Sequence, residues 1–277
     1  MPGRITRIIS NLYTVNIDGV EYLCNARGKF RNDKITPIVG DFCEIDISNK
    51  YILDILPRKN ELKRPTIANV DVALIVTSVK KPDLSLNLLD KMITTVLINN
   101  VEPIICLTKL DLMTRSDKKE IKNLIKYYKS IGFKVVDNKN LFKLKRTIKN
   151  KLVVLAGQTG AGKSALLNKL NKKLNLNTNP ISEALGRGIH TTRHVELFEF
   201  GSCLIADTPG FSSIEFKTNT TEEIKNTFIE FKNYTCPFKD CNHIGEHECA
   251  VKDAVDNNKI LKSRYKNYVS FVNEVKK

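Results

Sequence analysis

Eight residues, Gly157-Gln158-Thr159-Gly160-Ala161-Gly162-Lys163-Ser164, constrain this chain more than any other feature. They match G-x-x-x-x-G-K-[ST], a pattern that functions only as the turn between a strand and a helix. Its glycines let backbone N–H groups surround a β-phosphate, its lysine reaches the β- and γ-phosphate oxygens, and its hydroxyl ligates Mg²⁺. The flanks are right. An apolar strand run, Leu152 to Ala156, precedes the loop. A helical run from Ala165 to Leu170 follows it and aims the positive end of its dipole at the anion.

Two further motifs flank this one. Asp207-Thr208-Pro209-Gly210 follows the run Cys203–Ala206, which places Asp207 at a strand's carboxyl end, where ligands meet α/β sheets. Asp207 is expected to hold Mg²⁺ through water, and the Gly210 N–H to sense the γ-phosphate. Taken alone, the tetrapeptide also reads as a plain turn. Thr108-Lys109-Leu110-Asp111 follows Ile104–Leu107. The Asp111 carboxylate can accept from both the ring N–H and the exocyclic amine of guanine, which adenine cannot satisfy. The Lys109 stem would lie over the base. Taken alone, this motif also reads as a strand end leading into a helix cap. In most GTPases the base-reading motif follows the other two. Here it comes first, so the chain reads as a circularly permuted GTPase.

Between the phosphate loop and Asp207 lies Gly186-Arg187-Gly188-Ile189-His190-Thr191-Thr192-Arg193. That is the interval for a switch bringing a threonine hydroxyl to Mg²⁺ and the γ-phosphate, and Thr191 and Thr192 are both candidates. Phe211 stands where many GTPases carry a water-positioning glutamine. A phenyl ring cannot orient water, so unaided hydrolysis is expected to be slow. His190 or a group from a partner would complete the site. A lone histidine also reads simply as a hydrogen-bonded loop residue.

Cys236-x4-Cys241-x-His243-x5-Cys249 supplies three thiolates and one imidazole within 14 residues. Zn²⁺ favours four such ligands in a closed tetrahedral site, and Cys3His is a structural set with no open position for catalysis. His247 is a spare imidazole that can substitute for His243; unrelated cysteines are the alternative reading. One structural zinc would hold together a C-terminal segment with little core of its own. The remaining cysteines, Cys24, Cys43, Cys106 and Cys203, sit in apolar runs and read as small buried hydrophobes. Seven is an odd number for a disulfide framework.

The 277 residues divide by texture. Residues 1–62 alternate in five short runs separated by turn signals such as Asp18-Gly19, as in a small closed barrel. An oligonucleotide-binding (OB) barrel is the natural candidate, and SH3-like barrels fit nearly as well. Arg58–Pro65 looks like a linker. Residues 66–214 read as continuous apolar strands, Val70–Ser78, Pro103–Leu107, Lys134–Val136, Leu152–Ala156 and Cys203–Ala206, with helices at Leu86–Asn99 and Asp117–Ile131. Such a parallel sheet is covered on both faces. Val195–Phe200 alternates like an edge strand. Residues 215–277 are helical around the cysteines, opening at Thr221 and closing with Lys259–Lys276. The expected class is α/β: a circularly permuted P-loop GTPase domain with an N-terminal OB-fold β-barrel and a C-terminal helical zinc-binding domain.

Net charge is +15, and residues 115–151 carry 13 Lys/Arg against three acids. A basic face of that size suits polyanions, although the chain is rich in Lys, Asn and Ile throughout and charge runs are usually solvated faces. No stretch approaches a membrane span, and the N-terminus lacks an apolar signal core, which points to the cytoplasm.

Together these residues resemble the RsgA (YjeQ/YloQ) family of small-subunit-dependent GTPases. The resemblance also includes Val39-Gly40-Asp41, Arg58-Lys59-Asn60-Glu61-Leu62 with Arg64-Pro65, and Ala68-Asn69-Val70-Asp71. It implies GTP and GDP as ligands, Mg²⁺ with GTP, and late maturation of the 30S subunit. It further implies an OB barrel, a zinc domain and hydrolysis stimulated by 30S. The mechanism expected is that the barrel and zinc domain grip 16S rRNA and hydrolysis releases the factor, and the chain is expected to be monomeric. The sequence departs from the pattern twice: Thr108 replaces the usual Asn, and Val135-Val136-Asp137-Asn138 lacks the Ser-Ala that normally backs the guanine site. A permuted GTPase acting on another particle or RNA, and an RNA-binding assembly module with little turnover, are the alternatives.

Overall fold

The protein is described from a computed structural model, which covers residues 2–28, 30, 35–63, 65–170, 195–211 and 220–275, with 207–211 as backbone only. Eleven strands form one continuous sheet. Its first part is a barrel: β1 (Pro2–Ile9), β2 (Leu12–Ile17), β3 (Val20–Ala26), β4 (Phe42–Asp46) and β5 (Tyr51–Ile55). The order β1-β2-β3-β5-β4 closes through a β4–β1 pairing, and the single parallel contact is β3 with β5. Alternation dictates this closure. Ile5, Val15, Cys24, Ile45 and Ile52 face inward from five different strands and are fully or nearly fully buried. The Asp18-Gly19 turn aligns Ile17 with Val20, as a two-residue hairpin should.

Beyond the barrel, residues 58–63 and 65–68 are more ordered than a linker. β6 (Glu61–Lys63) pairs antiparallel with β7 (Thr66–Ala68) as a separate two-stranded sheet. Leu62 and Ile67 are buried in the main core, which is why the segment cannot hang free. The motifs Val39-Gly40-Asp41, Arg58–Leu62 and Ala68–Asp71 converge here. Arg58 clamps the buried Asp41 carboxylate at 2.7 and 2.8 Å, and Asn69 donates to the Gly40 carbonyl at 3.1 Å. Gly40 (φ 92°) lies so close to this hairpin that a Cβ there would sit 2.1 Å from the Ala68 oxygen. These residues weld the barrel to the β6–β7 hairpin and, through its buried side chains, to the core of the larger sheet.

The remaining strands are β8 (Val72–Ser78), β9 (Glu102–Thr108), β10 (Lys134–Asp137), β11 (Leu152–Ala156), β12 (Glu196–Phe200) and β13 (Cys203–Phe211). Their order is β10-β9-β8-β11-β13-β12, parallel except for β12. Every residue of β8 is buried, as the continuous apolar run requires when both faces are covered. Helices α1 (Leu86–Ile98) and α2 (Arg115–Ser130) cover one face; α3 (Leu141–Ile148) and α4 (Lys163–Leu170) cover the other. Ser85 caps α1, and a Thr114–Asp117 capping box starts α2 two residues before the expected Asp117. The sequence pattern does not announce α3, because eight residues give too short a period to stand out beside the lysines.

β12 is not an edge strand. It pairs with β13 on one side and meets β1 of the barrel at Arg7↔Glu196 on the other. Likewise β13 runs on past Ala206. Val154 aligns with Ala206 but Ala156 with Phe211, so the surplus backbone, Asp207–Gly210, is a bulge rather than the end of the strand. The C-terminal segment contains α5 (Thr221–Thr227), α6 (Ala250–Asp256) and α7 (Lys262–Val275). It has more core than expected: Ile224, Phe228, Phe231, Tyr268, Phe271 and Val272 form a buried cluster of its own. Among the described residues no helix is long and apolar enough to cross a membrane.

Candidate functional site: a phosphate loop at the switch point of the sheet

From β8 the chain steps outward to β9 and β10, then returns across the sheet to β11 beside β8. The connections therefore diverge between the carboxyl ends of β8 and β11. That divergence opens the crevice where doubly wound sheets take ligands. The phosphate loop leaves β11 at this point. Gly157 has φ 141°, and a Cβ there would lie 2.1 Å from the Val76 carbonyl oxygen on β8, so only glycine lets the loop pass.

Lys163 opens α4, and its ammonium donates to the carbonyls of Gly157 and, at 3.0 Å, Gln158. Burial lowers its pKa from the ordinary 10.5, a cost that a neighbouring phosphate would offset. Ser164 and Ala165 follow, half-buried in the first turn, while Thr159 and Gly160 are exposed at the loop's tip. Thr108, 1% exposed at the end of β9, donates its hydroxyl to the Ala161 carbonyl at 2.6 Å. The Thr108–Asp111 segment and the Gly157–Ser164 loop are thus bonded directly. A Cβ on Gly162 would also lie 3.8 Å from the Thr108 hydroxyl.

Lys109 takes a left-handed backbone (φ 56°), and its ammonium bonds the Lys81 carbonyl. This turn leads Leu110 and Asp111 into a short 3-10 segment in which the Asp111 carboxylate is exposed. Beside it, Asn138 donates its backbone N–H to the Leu107 carbonyl at 3.1 Å, and Asp137 accepts from the N–H groups of Lys139 and Asn140. The backbone of Asp207–Gly210 emerges two strands away from β8. His190, Thr191 and Thr192 lie outside the described residues.

A second constellation lies in the C-terminal segment. Cys236 Sγ, Cys241 Sγ and Cys249 Sγ stand 3.5, 3.3 and 3.4 Å from His243 Nδ1, and Cys249 Sγ is 3.8 Å from each of the other two sulfurs. A tetrahedron with Zn–S ~2.3 Å and Zn–N ~2.05 Å has S···S edges of about 3.8 Å and S···N edges of about 3.6 Å. The donor set therefore fits a single Zn²⁺ in composition and size. His247 is exposed and stands outside the four-residue cluster. The outer contacts are firm: Glu246 accepts from the N–H groups of Asn242 and Ile244, while Tyr265 and Tyr268 donate to the carbonyls of His243 and Asn242 at 2.7 and 2.6 Å.

One feature left no trace in the sequence. Arg264, 1% exposed on α7, bonds Glu230 through two nitrogens (2.7 and 3.1 Å) and Asp90 of α1 at 2.7 Å. Tyr128 and Asn267 donate to Asp90, each at 2.6 Å. Burial opposes the Arg264 charge, but the two carboxylates more than reverse that and hold its pKa well above the ordinary value. Its partners are 34 and 174 residues distant, beyond any local pattern.

The Gly157–Ser164 loop lies in the crevice of the sheet and the Thr108–Asp111 segment precedes it in the chain, which is the order of a circularly permuted GTPase. Family models bear this out: the RsgA GTPase family matches residues 55–217 and the RsgA N-terminal domain residues 2–51. The chain belongs to the RsgA GTPase family. It is 44% identical to "Small ribosomal subunit biogenesis GTPase RsgA 1" of Listeria monocytogenes over 284 residues, covering 100% of this chain and 98% of that one. It is likewise 44% identical to the RsgA of Halalkalibacterium halodurans, covering 99% and 97%. Two solved structures are similar. YloQ, described as a circularly permuted GTPase, has TM-score 0.85 at 36% identity and covers 99% of this chain and 94% of its own. YjeQ from Thermotoga maritima has TM-score 0.86 at 34% identity and covers 99% and 98%.

Proposed function

We propose that this protein is a cytoplasmic GTP-hydrolysing factor in late maturation of the 30S ribosomal subunit. It acts as a monomer, binds 16S rRNA through its barrel and C-terminal segment, and leaves on hydrolysis. The observation that carries this reading is the end-to-end match, at 44% identity, to relatives named for small-subunit biogenesis. The phosphate loop at the sheet's switch point supports it.

In this reading the N–H groups of residues 157–165 cradle the phosphates, and Lys163 neutralises the β- and γ-oxygens. Asp111 reads the guanine edge, Lys109 lies along the base, and Thr108 keeps that motif in register with the phosphate loop. Ser164 and Asp207 hold Mg²⁺, which supplies charge neutralisation across the phosphates. The Gly210 N–H senses the γ-phosphate, one of Thr191 and Thr192 completes the magnesium shell, and His190 helps position water. Cys236, Cys241, His243 and Cys249 hold a structural zinc.

The test is GTP hydrolysis, against ATP, with and without purified 30S subunits, and with Lys163→Ala as control. Guanine-selective turnover that rises with 30S and vanishes in the variant supports the proposal. Equal turnover without 30S, or stimulation by 50S instead, refutes it.

A further inference from the structure

Helix α3 presents two faces. Leu144 and Ile148, both buried, and the partly buried Leu141 pack on the sheet. Phe142, Lys145, Arg146 and the C-cap residue Lys149 fall at i, i+3, i+4 and i+7 and form a stripe along the flank of the helix, spanning about 10 Å along the axis. Phe142 is 80% exposed, the most exposed of the protein's large hydrophobic residues in the described structure. The stripe lines a cavity of about 730 Å³ whose other wall is the β12–β13 turn, with Glu199 at its rim and Phe200 beneath. None of the three cations makes an ion pair among the described residues. The turn lies at the amino end of β13, so this cavity is on the edge of the sheet opposite the phosphate loop.

We infer that this cavity is a binding site for single-stranded RNA, in which Phe142 stacks on an unpaired base while Lys145, Arg146 and Lys149 take the flanking phosphates. Aromatic platforms beside cations are how proteins hold unstacked nucleotides, and the π-face accepts any base. The exposed Phe142 ring separates this ligand from an acidic peptide, because an unpaired base offers a π-face to stack on it where an acidic side chain offers only charge. The inference rests on the proposed ribosomal role only for the source of the RNA.

Binding of a short labelled single-stranded RNA, measured by anisotropy across a salt series, tests the site. Phe142→Ala is expected to weaken binding about 10-fold, with Phe142→Trp restoring it. The combined Lys145→Ala, Arg146→Ala, Lys149→Ala variant should flatten the slope of log K against log salt by about 2, at roughly 0.7 per phosphate. Unstimulated GTP hydrolysis should not change in any of them. In the 30S complex, a photoreactive benzoylphenylalanine in place of Phe142 should crosslink to 16S rRNA. Unchanged affinity in Phe142→Ala, competition by polyglutamate as effective as by RNA, or crosslinks confined to ribosomal protein each overturn the inference. Wild-type stimulation by 30S, measured alongside, judges the ribosomal role separately, because the oligonucleotide results do not depend on it.

Discussion

Replacing Arg264 with methionine removes the one cation of a buried cluster and leaves two carboxylates behind. The side chains of Arg264, Asp90 and Glu230 are 1%, 1% and 2% exposed, so water cannot take over the lost contacts. Removing one partner from a buried ion pair costs about 3–5 kcal/mol, and the guanidinium's contact over the Phe228 ring, 4.5 Å from its centroid, is lost as well. The two carboxylates should suffer unequally. Asp90 keeps the Tyr128 and Asn267 donors at 2.6 Å, whereas Glu230 keeps only a 3.3 Å bond from Tyr127 among the described residues. Adding Glu230→Gln to Arg264→Met should therefore recover more stability than adding Asp90→Asn. With eight tyrosines and no tryptophan, tyrosine fluorescence during urea unfolding is the assay. A loss below about 1 kcal/mol, or better recovery from Asp90→Asn, would refute the reasoning.

The zinc reading predicts one bound zinc per chain, lost in Cys241→Ala. Because α5 and α7 share their own aromatic core, chelation should expose residues 236–249 to protease while sparing most of the helical circular dichroism signal. Thr108→Val keeps the shape but removes the only donor aimed at the buried Ala161 carbonyl among the described residues, which costs about 1 kcal/mol. Calorimetry should show GDP affinity falling about fivefold, and an unchanged value would dissociate that bond from nucleotide binding. Burial alone would raise the pKa of Asp71. The Lys59 ammonium and the Leu152 N–H outweigh that and hold it below the ordinary 3.8. A depressed carboxylate stabilises above its unfolded pKa, and that stability is lost as pH falls through the folded one. Wild type should therefore exceed Asp71→Asn in stability at neutral pH, with the gap closing below about pH 4 in an acid titration; a gap independent of pH would sink the assignment.

Much of the molecule was legible because its signals are local. A phosphate loop must sit between strand and helix. The continuous apolar run Val70–Ser78 reads as a buried strand, and Val72–Ser78 forms one; the spacing of Cys236, Cys241, His243 and Cys249 reads as a metal set, and their ligand atoms meet at one point. The order of motifs declared the permutation without any coordinates. Tertiary structure decided what depends on distant partners. Arg58–Pro65 resembles a linker until Leu62 and Ile67 are seen in the core, and Val195–Phe200 resembles an edge until β1 covers it. The C-terminal segment promised little core because Phe228 and Phe231 come 40 to 44 residues before Phe271 and Val272. Asp90, Glu230 and Arg264 each look like solvated charges in sequence. Only folding brings them together out of water, where a single cation holds two acids and fastens the C-terminal segment to the GTPase helices.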